Sequence, residues 1–190
     1  IKHLGIAKRE NDALQLRVHP TLIPEAKAIA QVDGVLNAVM INASGVGELL
    51  LVGPGAGSRP TASAVMADVV SVARSLASDE QPSIHSMGVG ISAMSHPAIV
   101  DINEVSSAWY LRLDAEDKPG VMAALTQCLS QHGIGIESLI QKPESAALAK
   151  VPVILLTDEA PTRAIEQAIT DIEALPSVGG SVTCLRVENF

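Results

Sequence analysis

Apolar and polar residues alternate at the beginning of the chain in the manner of β-strands. Strands are predicted over residues 2–8 and 14–19, separated by a turn at Glu10-Asn11-Asp12. Leu14, Leu16 and Val18 share one face of the second strand.

Further along, the pattern predicts a short helix over residues 25–31 and a third strand over residues 35–41. A continuous apolar run at residues 48–52 predicts a fourth strand, buried on both faces. We therefore expect the first half to contain a mixed or antiparallel sheet of four strands.

A glycine-rich loop at residues 53–57 precedes a long predicted helix with Thr61 as its N-cap. Backbone in such a loop can approach a ligand closely, next to the positive end of the helix dipole. The spacing G-x-G-x-G after hairpins is not the dinucleotide fingerprint, and on this pattern alone a tight turn before a packed helix is favoured. Apolar residues recur at helical spacing along the helix, at Val65, Val69, Val72 and Leu76.

The second half has the order βαββαβ, which is typical of a ferredoxin-like fold with both helices on one face of the sheet. The fold class predicted for the chain is therefore α+β: a mixed or antiparallel sheet with helices, followed by this module. The other sheet face needs a cover, most simply a second copy. The predicted elements are strands 109–114, 134–142, 150–157 and 181–188, and helices 119–131 and 161–174.

The first helix of this module follows a Pro119-Gly120 turn, with Asp117 as its predicted cap. Free N–H groups at that helix end suit a small carboxylate, as in regulatory modules that bind an amino acid. The predicted inner stripes of the two helices are Val121, Leu125, Cys128 and Leu129, and Ile165, Ile169 and Ile172.

Charge and composition exclude several classes of function. The 190 residues carry a net charge of −8 and only 2% aromatic residues, which argues against nucleic-acid binding. No apolar run approaches the length of a membrane span. Cys128 and Cys184 are expected to be reduced in a cytoplasmic protein. The scattered histidines show no metal-ligand spacing, and no set of residues amounts to a complete active site.

Several blocks of sequence, in order, resemble the back half of homoserine dehydrogenase, and later blocks resemble its C-terminal ACT domain. The resemblance covers almost the whole chain. The first group is VHPTLI (18–23), VDGVLNA (32–38), GPGAG (53–57) and PTASAV (60–65); the second is YLRL (110–113), DKPGV (117–121) and GIESLIQK (135–142).

The resemblance implies an enzyme that interconverts L-homoserine and L-aspartate 4-semialdehyde with NADP or NAD. It places the catalytic lysine and aspartate, with most of the nucleotide-binding domain, upstream of Ile1, so no catalytic residue is assigned here and the chain alone is expected to be inactive. It assigns Gly57 to the cofactor near its nicotinamide side, with Gly55 and Thr61 as weaker neighbours.

For the ACT domain, the resemblance implies feedback inhibition by L-threonine. The ligand carboxylate would meet the N–H groups of Gly120 and Val121, with Ser138 and Gln141 as further polar contacts. The chain departs from the family at Glu137, near which amino-acid-binding ACT domains often have asparagine. Glu137 would oppose an acidic ligand or hold the ligand's ammonium group.

The expected organisation is a catalytic and dimerisation segment at residues 1–78, a linker at 79–106 and the ACT domain at 107–190, in a homodimer or tetramer. Two alternatives remain: a stand-alone amino-acid-sensing ACT module without enzymatic activity, and a purely structural dimerisation element.

Overall fold

The computed structural model describes residues 1–77, 89–141 and 150–190. They form two compact units, one made of Ile1–Pro24 with Pro97–Phe190, the other of Glu25–His96. The elements, in chain order, are β1 Lys2–Glu10, β2 Ala13–Leu22, β3 Leu36–Ala43, β4 Gly47–Pro54, α1 Ser58–Ala77, β5 Ala98–Ile99, β6 Ser106–Ala115, α2 Val121–Gln131, β7 Ile136–Gln141, β8 Val151–Thr157, β9 Ala160–Pro161, α3 Thr162–Glu173 and β10 Val178–Val187.

The first unit contains the predicted βαββαβ module. Its main strands lie in the order β1-β2-β10-β6-β8-β7, with β5 pairing with β2 and β9 with β6. Within this sheet β10, β6, β8 and β7 pair antiparallel, in the ferredoxin-like order. The predicted α+β class is confirmed.

The core of the first unit lies between its sheet and helices α2 and α3. Leu111 and Leu155 of the sheet, Leu125 and Leu129 of α2, and Ile172 of α3 are completely buried. Both inner stripes predicted from the helical period are confirmed in this core, with Ile169 packed at its edge. Burial of these side chains is the main stabilisation of the module.

The hairpin β1–β2 extends the sheet of the module. The strands of the hairpin pair along their whole length, around a two-residue turn in which Asn11 takes a φ of 53°. β2 then pairs in parallel with the end of β10, where Thr21 lies opposite Arg186. The Glu188 N–H continues this pairing by donating to Leu22 O at 2.9 Å. Residues 1–24 thus belong to one compact unit with residues 97–190.

The second unit differs from the prediction of one four-stranded sheet. β3 and β4 form a separate two-stranded sheet, and β4 is largely exposed rather than buried on both faces. The helix predicted over residues 25–31 is reduced to a 3-10 turn at Ala28–Gln31. The domain boundaries predicted at residues 78 and 107 remain a prediction. Residues 78–88, at the start of the proposed linker, lie outside the described residues.

The long helix α1 was predicted correctly, but its cap was not. It begins at Ser58, so Thr61 lies in its first turn and donates its N–H to Gly57 O at 3.1 Å. Pro60 fits in the first turn because its missing N–H would have no intrahelical acceptor there. The apolar stripe on α1 is exposed, with Val65, Val69 and Leu76 each more than half accessible.

Among the described residues, no helix is both long enough and apolar enough to cross a membrane.

Replacing Leu125 by alanine should lower the free energy of unfolding of the module by about 2–5 kcal/mol, because it leaves a cavity in a closed core. Leu139→Ala is the matched control, since Leu139 is 38% exposed on β7 and its loss should cost less than about 1 kcal/mol. Urea denaturation followed by Trp109 fluorescence measures both; equal losses in the two variants would contradict the core assignment.

Candidate effector and cofactor sites

The loop between β6 and α2 is built around a left-handed glycine. Gly120 has a φ of 92° and is the N-cap of α2, and its carbonyl accepts from the Ala124 N–H at 3.0 Å. The Val121 N–H donates to Lys118 O at 3.3 Å, which is a long and weak bond. Because the first turn of a helix leaves N–H groups without intrahelical acceptors, this end of α2 can receive an anionic group.

Gln141 is tied to this loop by a side-chain hydrogen bond. Its Nε2 donates to Asp117 Oδ1 at 2.9 Å, across 24 residues of sequence. The prediction that Asp117 caps α2 is wrong, because the N-cap is Gly120 and no side chain caps it. The structure therefore brings Gly120, Val121 and Gln141 together at one end of the module.

Ser138 lies on the same strand as Gln141 but on the other face of the sheet. It pairs with Leu156, whereas Gln141 pairs with the fully buried Val153 on the helix side. Two side chains three residues apart in a strand point to opposite faces. Ser138 and Gln141 within one module thus face different surroundings.

Charged groups flank the loop. Lys118 Nζ lies 2.9 Å from Glu116 Oε2, and this hydrogen bond holds the pKa of Glu116 below its usual value. Glu137 is exposed beside a register shift in β7, between Ile136 and Ser138. The loop therefore presents the Lys118–Glu116 pair to a ligand, whereas Glu137, where β7 begins, lies at the opposite end of the module.

The three candidate cofactor residues lie in one turn of the second unit. Gly57 has a φ of 121° and its carbonyl accepts from the Thr61 N–H. A Cβ at Gly55 would fall against the side-chain amide of Asn37 on β3, which would have to move to admit a larger residue. All three candidates are exposed, which leaves their backbone accessible to a ligand.

A cluster of buried polar residues at the seam between β2 and β10 was not expected from the sequence. Arg186 stacks over Trp109 at 4.2 Å and donates to Ser107 Oγ and Thr162 Oγ1 at 2.5 Å each. Its signal in the sequence is a charged residue at an inward position of an otherwise apolar strand.

β2 also carries polar residues at inward positions, and it carries several of them. Gln15, Arg17 and Thr21 are buried, whereas Leu16 and Val18 on the apolar face are 51% and 72% exposed. The alternation was predicted correctly, but the polar face is the one that packs against the module.

His19 also belongs to this seam. Its Nδ1 lies 3.0 Å from Thr21 Oγ1. Burial lowers the pKa of His19, the hydrogen bond to Pro20 O opposes that shift, and the charges of Arg186 and Arg17 add to it. A neutral imidazole is therefore favoured here.

Within residues 1–77, 89–141 and 150–190, no three His, Cys, Asp or Glu side chains are grouped so as to hold a metal ion. His132 instead pairs with Asp171, Nε2 to Oδ2, at 2.7 Å. Cys128 and Cys184 are free thiols, and burial raises the pKa of Cys184 to about 11. His85 lies outside the described residues.

Two family models match the chain. The model described as homoserine dehydrogenase matches residues 1–70, and the ACT domain model matches residues 109–174. The second match coincides with the ferredoxin-like module, including the Gly120 loop.

Curated relatives match along the full chain. The homoserine dehydrogenase of Pseudomonas aeruginosa is 46% identical over all 190 residues, and that of Neisseria gonorrhoeae is 39% identical over the same length. The chain spans 44% and 43% of these relatives, less than half of either.

A solved structure agrees with these matches. The crystal structure of a homoserine dehydrogenase from Thiobacillus denitrificans superposes with a TM-score of 0.87 at 41% sequence identity, covering 99% of this chain and 42% of that one. The chain belongs to the homoserine dehydrogenase family and carries, after the segment matched at residues 1–70, an ACT domain at residues 109–174.

Proposed function

We propose that this chain is the C-terminal part of an enzyme that interconverts L-homoserine and L-aspartate 4-semialdehyde with NADP or NAD, on the route to threonine and methionine in the cytoplasm. The observation that carries the proposal is the 46% identity to a homoserine dehydrogenase along the entire chain. Such similarity spans both compact units, so it supports more than a shared regulatory module.

In this proposal the turn before α1 approaches the nicotinamide cofactor. Gly57 presents backbone, with Gly55 and Thr61 as neighbours, and the cofactor itself supplies the hydride chemistry. The exposed backbone of the turn and its place at the N-terminus of a 20-residue helix support this role. The general acid and base would come from the part of the enzyme upstream of Ile1.

We propose that the ACT domain binds L-threonine as a feedback effector. The carboxylate would lie at the N-terminus of α2, against the N–H groups of Gly120 and Val121. Lys118 adds a positive charge beside this end, and Gln141, held by Asp117, offers its amide to the ligand. Glu137 is not part of this site within one module, because it lies where β7 begins, at the end of the sheet opposite to the Gly120 loop.

Ser138 would contribute to the same site through an assembly of two modules. It lies on the sheet face away from the helices, and Ile140 on that face is 47% exposed. A second copy covering this face would bury apolar surface and bring ligand groups from two modules together. The proposed enzyme is accordingly a dimer or tetramer.

Gly120→Ala should weaken L-threonine binding about tenfold or more, because a φ of 92° strains an alanine and displaces the N–H groups of α2. Gly133→Ala is the matched control: Gly133 has a φ of 70° just beyond the other end of α2, so it suffers similar backbone strain away from the ligand. Titration calorimetry with L-threonine, and L-serine for comparison, measures both. Equal affinity in the two variants would overturn the Gly120 site.

Gln141→Leu should also weaken L-threonine binding, by about 1–2 kcal/mol, since it removes the hydrogen bond to Asp117 and an amide facing the ligand. Gln127→Leu on the outer side of α2 controls for the loss of a glutamine amide. Calorimetry that finds both variants equal to the unaltered chain would exclude Gln141 from the effector site.

The purified 190-residue chain should show no homoserine-dependent reduction of NADP or NAD. The chain spans less than half the length of its relatives, and the family resemblance assigns the proton-transfer residues to the remainder. Absorbance at the reduced-nicotinamide band measures the reaction, with a full-length relative as the positive control. Turnover by the chain alone would show that its own residues supply the acid and base.

The principal alternative is an amino-acid-sensing or dimerising ACT module without enzymatic activity. It would leave the glycine turn and α1 without a role. A parent gene with a Gly-rich strand-to-helix turn near its start, and a lysine between that turn and Ile1, would favour the enzyme.

A further inference from the structure

A polar cleft of about 390 Å³ opens in the first unit between the β1–β2 hairpin and the module. It is lined on the hairpin side by Lys8 and Arg17, and on the module side by Ser107, Asp158 and Glu159, among others. Ser107 is near the N-terminal end of β6, whereas the Gly120 loop follows the C-terminal end of the same strand. The cleft and the proposed effector loop are therefore separate sites.

Arg17 is a buried cation whose hydrogen bonds are incomplete. The residue is 7% exposed, and its Nε and Nη1 have no hydrogen-bond partner. Its Nη2 lies 2.6 Å from Glu188 Oε1, but this contact does not have hydrogen-bond geometry. Because buried N–H groups without acceptors are unfavourable, a carboxylate placed face to face with the guanidinium would be strongly attracted.

Glu188 occupies the position nearest to such a carboxylate. An anion that takes the place of the Glu188 carboxylate would lie against Nη2 of Arg17, the guanidinium nitrogen that Glu188 now contacts. Glu188 follows β10, and its link to β2 in the sheet is made by its backbone N–H, which donates to Leu22 O, whereas its carboxylate contacts the side chain of Arg17. Its side chain can thus be replaced without breaking the sheet.

Charge in the cleft is divided between its two sides. The hairpin side carries the cations of Arg17 and Lys8, and Glu10 there is already bonded to Gln15. On the module side Glu137, Asp158 and Glu159 line the cleft, together with Glu104, which is paired with Arg163. Such a division fits a small molecule with a carboxylate at one end and an ammonium group at the other.

We propose that this cleft binds a free α-amino acid, with its carboxylate on Arg17 and its ammonium group toward Asp158 and Glu159. The ligand replaces the Glu188 carboxylate as the partner of Arg17. A bare metal ion is not favoured, because no cluster of metal-ligating side chains occurs among the described residues. The site is formed by residues that line the cleft and is independent of the proposed threonine loop.

Trp109 makes the binding measurable. It is the only tryptophan of the chain, and its Nε1 donates at 3.0 Å to the carbonyl of Ala160, next to Glu159. Titration of the full chain with glycine or L-threonine should change its fluorescence saturably. Acetate and ethylamine, each half of the zwitterion, should bind at least about tenfold more weakly.

Variants assign the signal to the cleft. Arg17→Lys and Lys8→Ala should each weaken glycine binding, the first by about tenfold, whereas Glu188→Gln should strengthen it because a neutral amide competes less well for Arg17. Lys8 is exposed, so Lys8→Ala decides the matter if Arg17→Lys fails to fold. Gln127→Leu, at an exposed position of α2 that does not line the cleft, is the control and should leave glycine binding within about twofold.

Three results would overturn the proposal: no saturable change with any amino acid in a folded chain, acetate binding as tightly as glycine, or Glu188→Gln and Lys8→Ala leaving the affinity unaltered. Loss of all binding in Gly120→Ala alone would assign the amino acid to the loop and refute the cleft. Loss in the cleft variants alone would support the cleft, and calorimetry with L-threonine on Gly120→Ala tests the loop separately.

Discussion

The buried guanidinium of Arg186 joins three elements of the first unit: β10, β6 and the start of α3. It extends from β10 over the ring of Trp109 on β6 and donates to Ser107 and to Thr162 at the start of α3. Removing a charge of this kind from water costs several kcal/mol unless its N–H groups find partners. The two strands and the helix end therefore have to stay in register, and β10 is fixed in the position where β2 pairs with it.

That pairing explains the unusual polarity of β2. A strand added to the edge of a module normally packs its apolar face inward, but the surroundings at this edge are Arg186, Glu188 and the end of β10. Polar residues of β2 face these charged groups, with Arg17 Nη2 2.6 Å from Glu188 Oε1, and the apolar face is left outward. Contacts with the charged groups at this seam, rather than burial of apolar surface, therefore decide which face of β2 points inward.

The sequence was sufficient for the parts of the molecule governed by local periodicity. The βαββαβ order, the helical stripes with Leu125 and Ile172, and the Pro-Gly turn all follow from residues close together in the chain. The parallel pairing of β2 with β10, the Asp117–Gln141 bond and the buried Arg17 depend on residues that are distant in sequence, and no local pattern encodes them. The cap at Thr61 failed because Gly57 can already begin the helix four residues earlier.

The contact between Thr21 and Arg186 has a consequence for the order of folding during synthesis. A ribosome makes β2 long before β10, so the hairpin emerges with its polar face unsatisfied and its final neighbour not yet made. Contacts between such distant residues form late, since a long loop must close first. The hairpin should therefore join the sheet only after the ACT domain has folded, so the segment that precedes the ACT domain in the chain completes its fold after it.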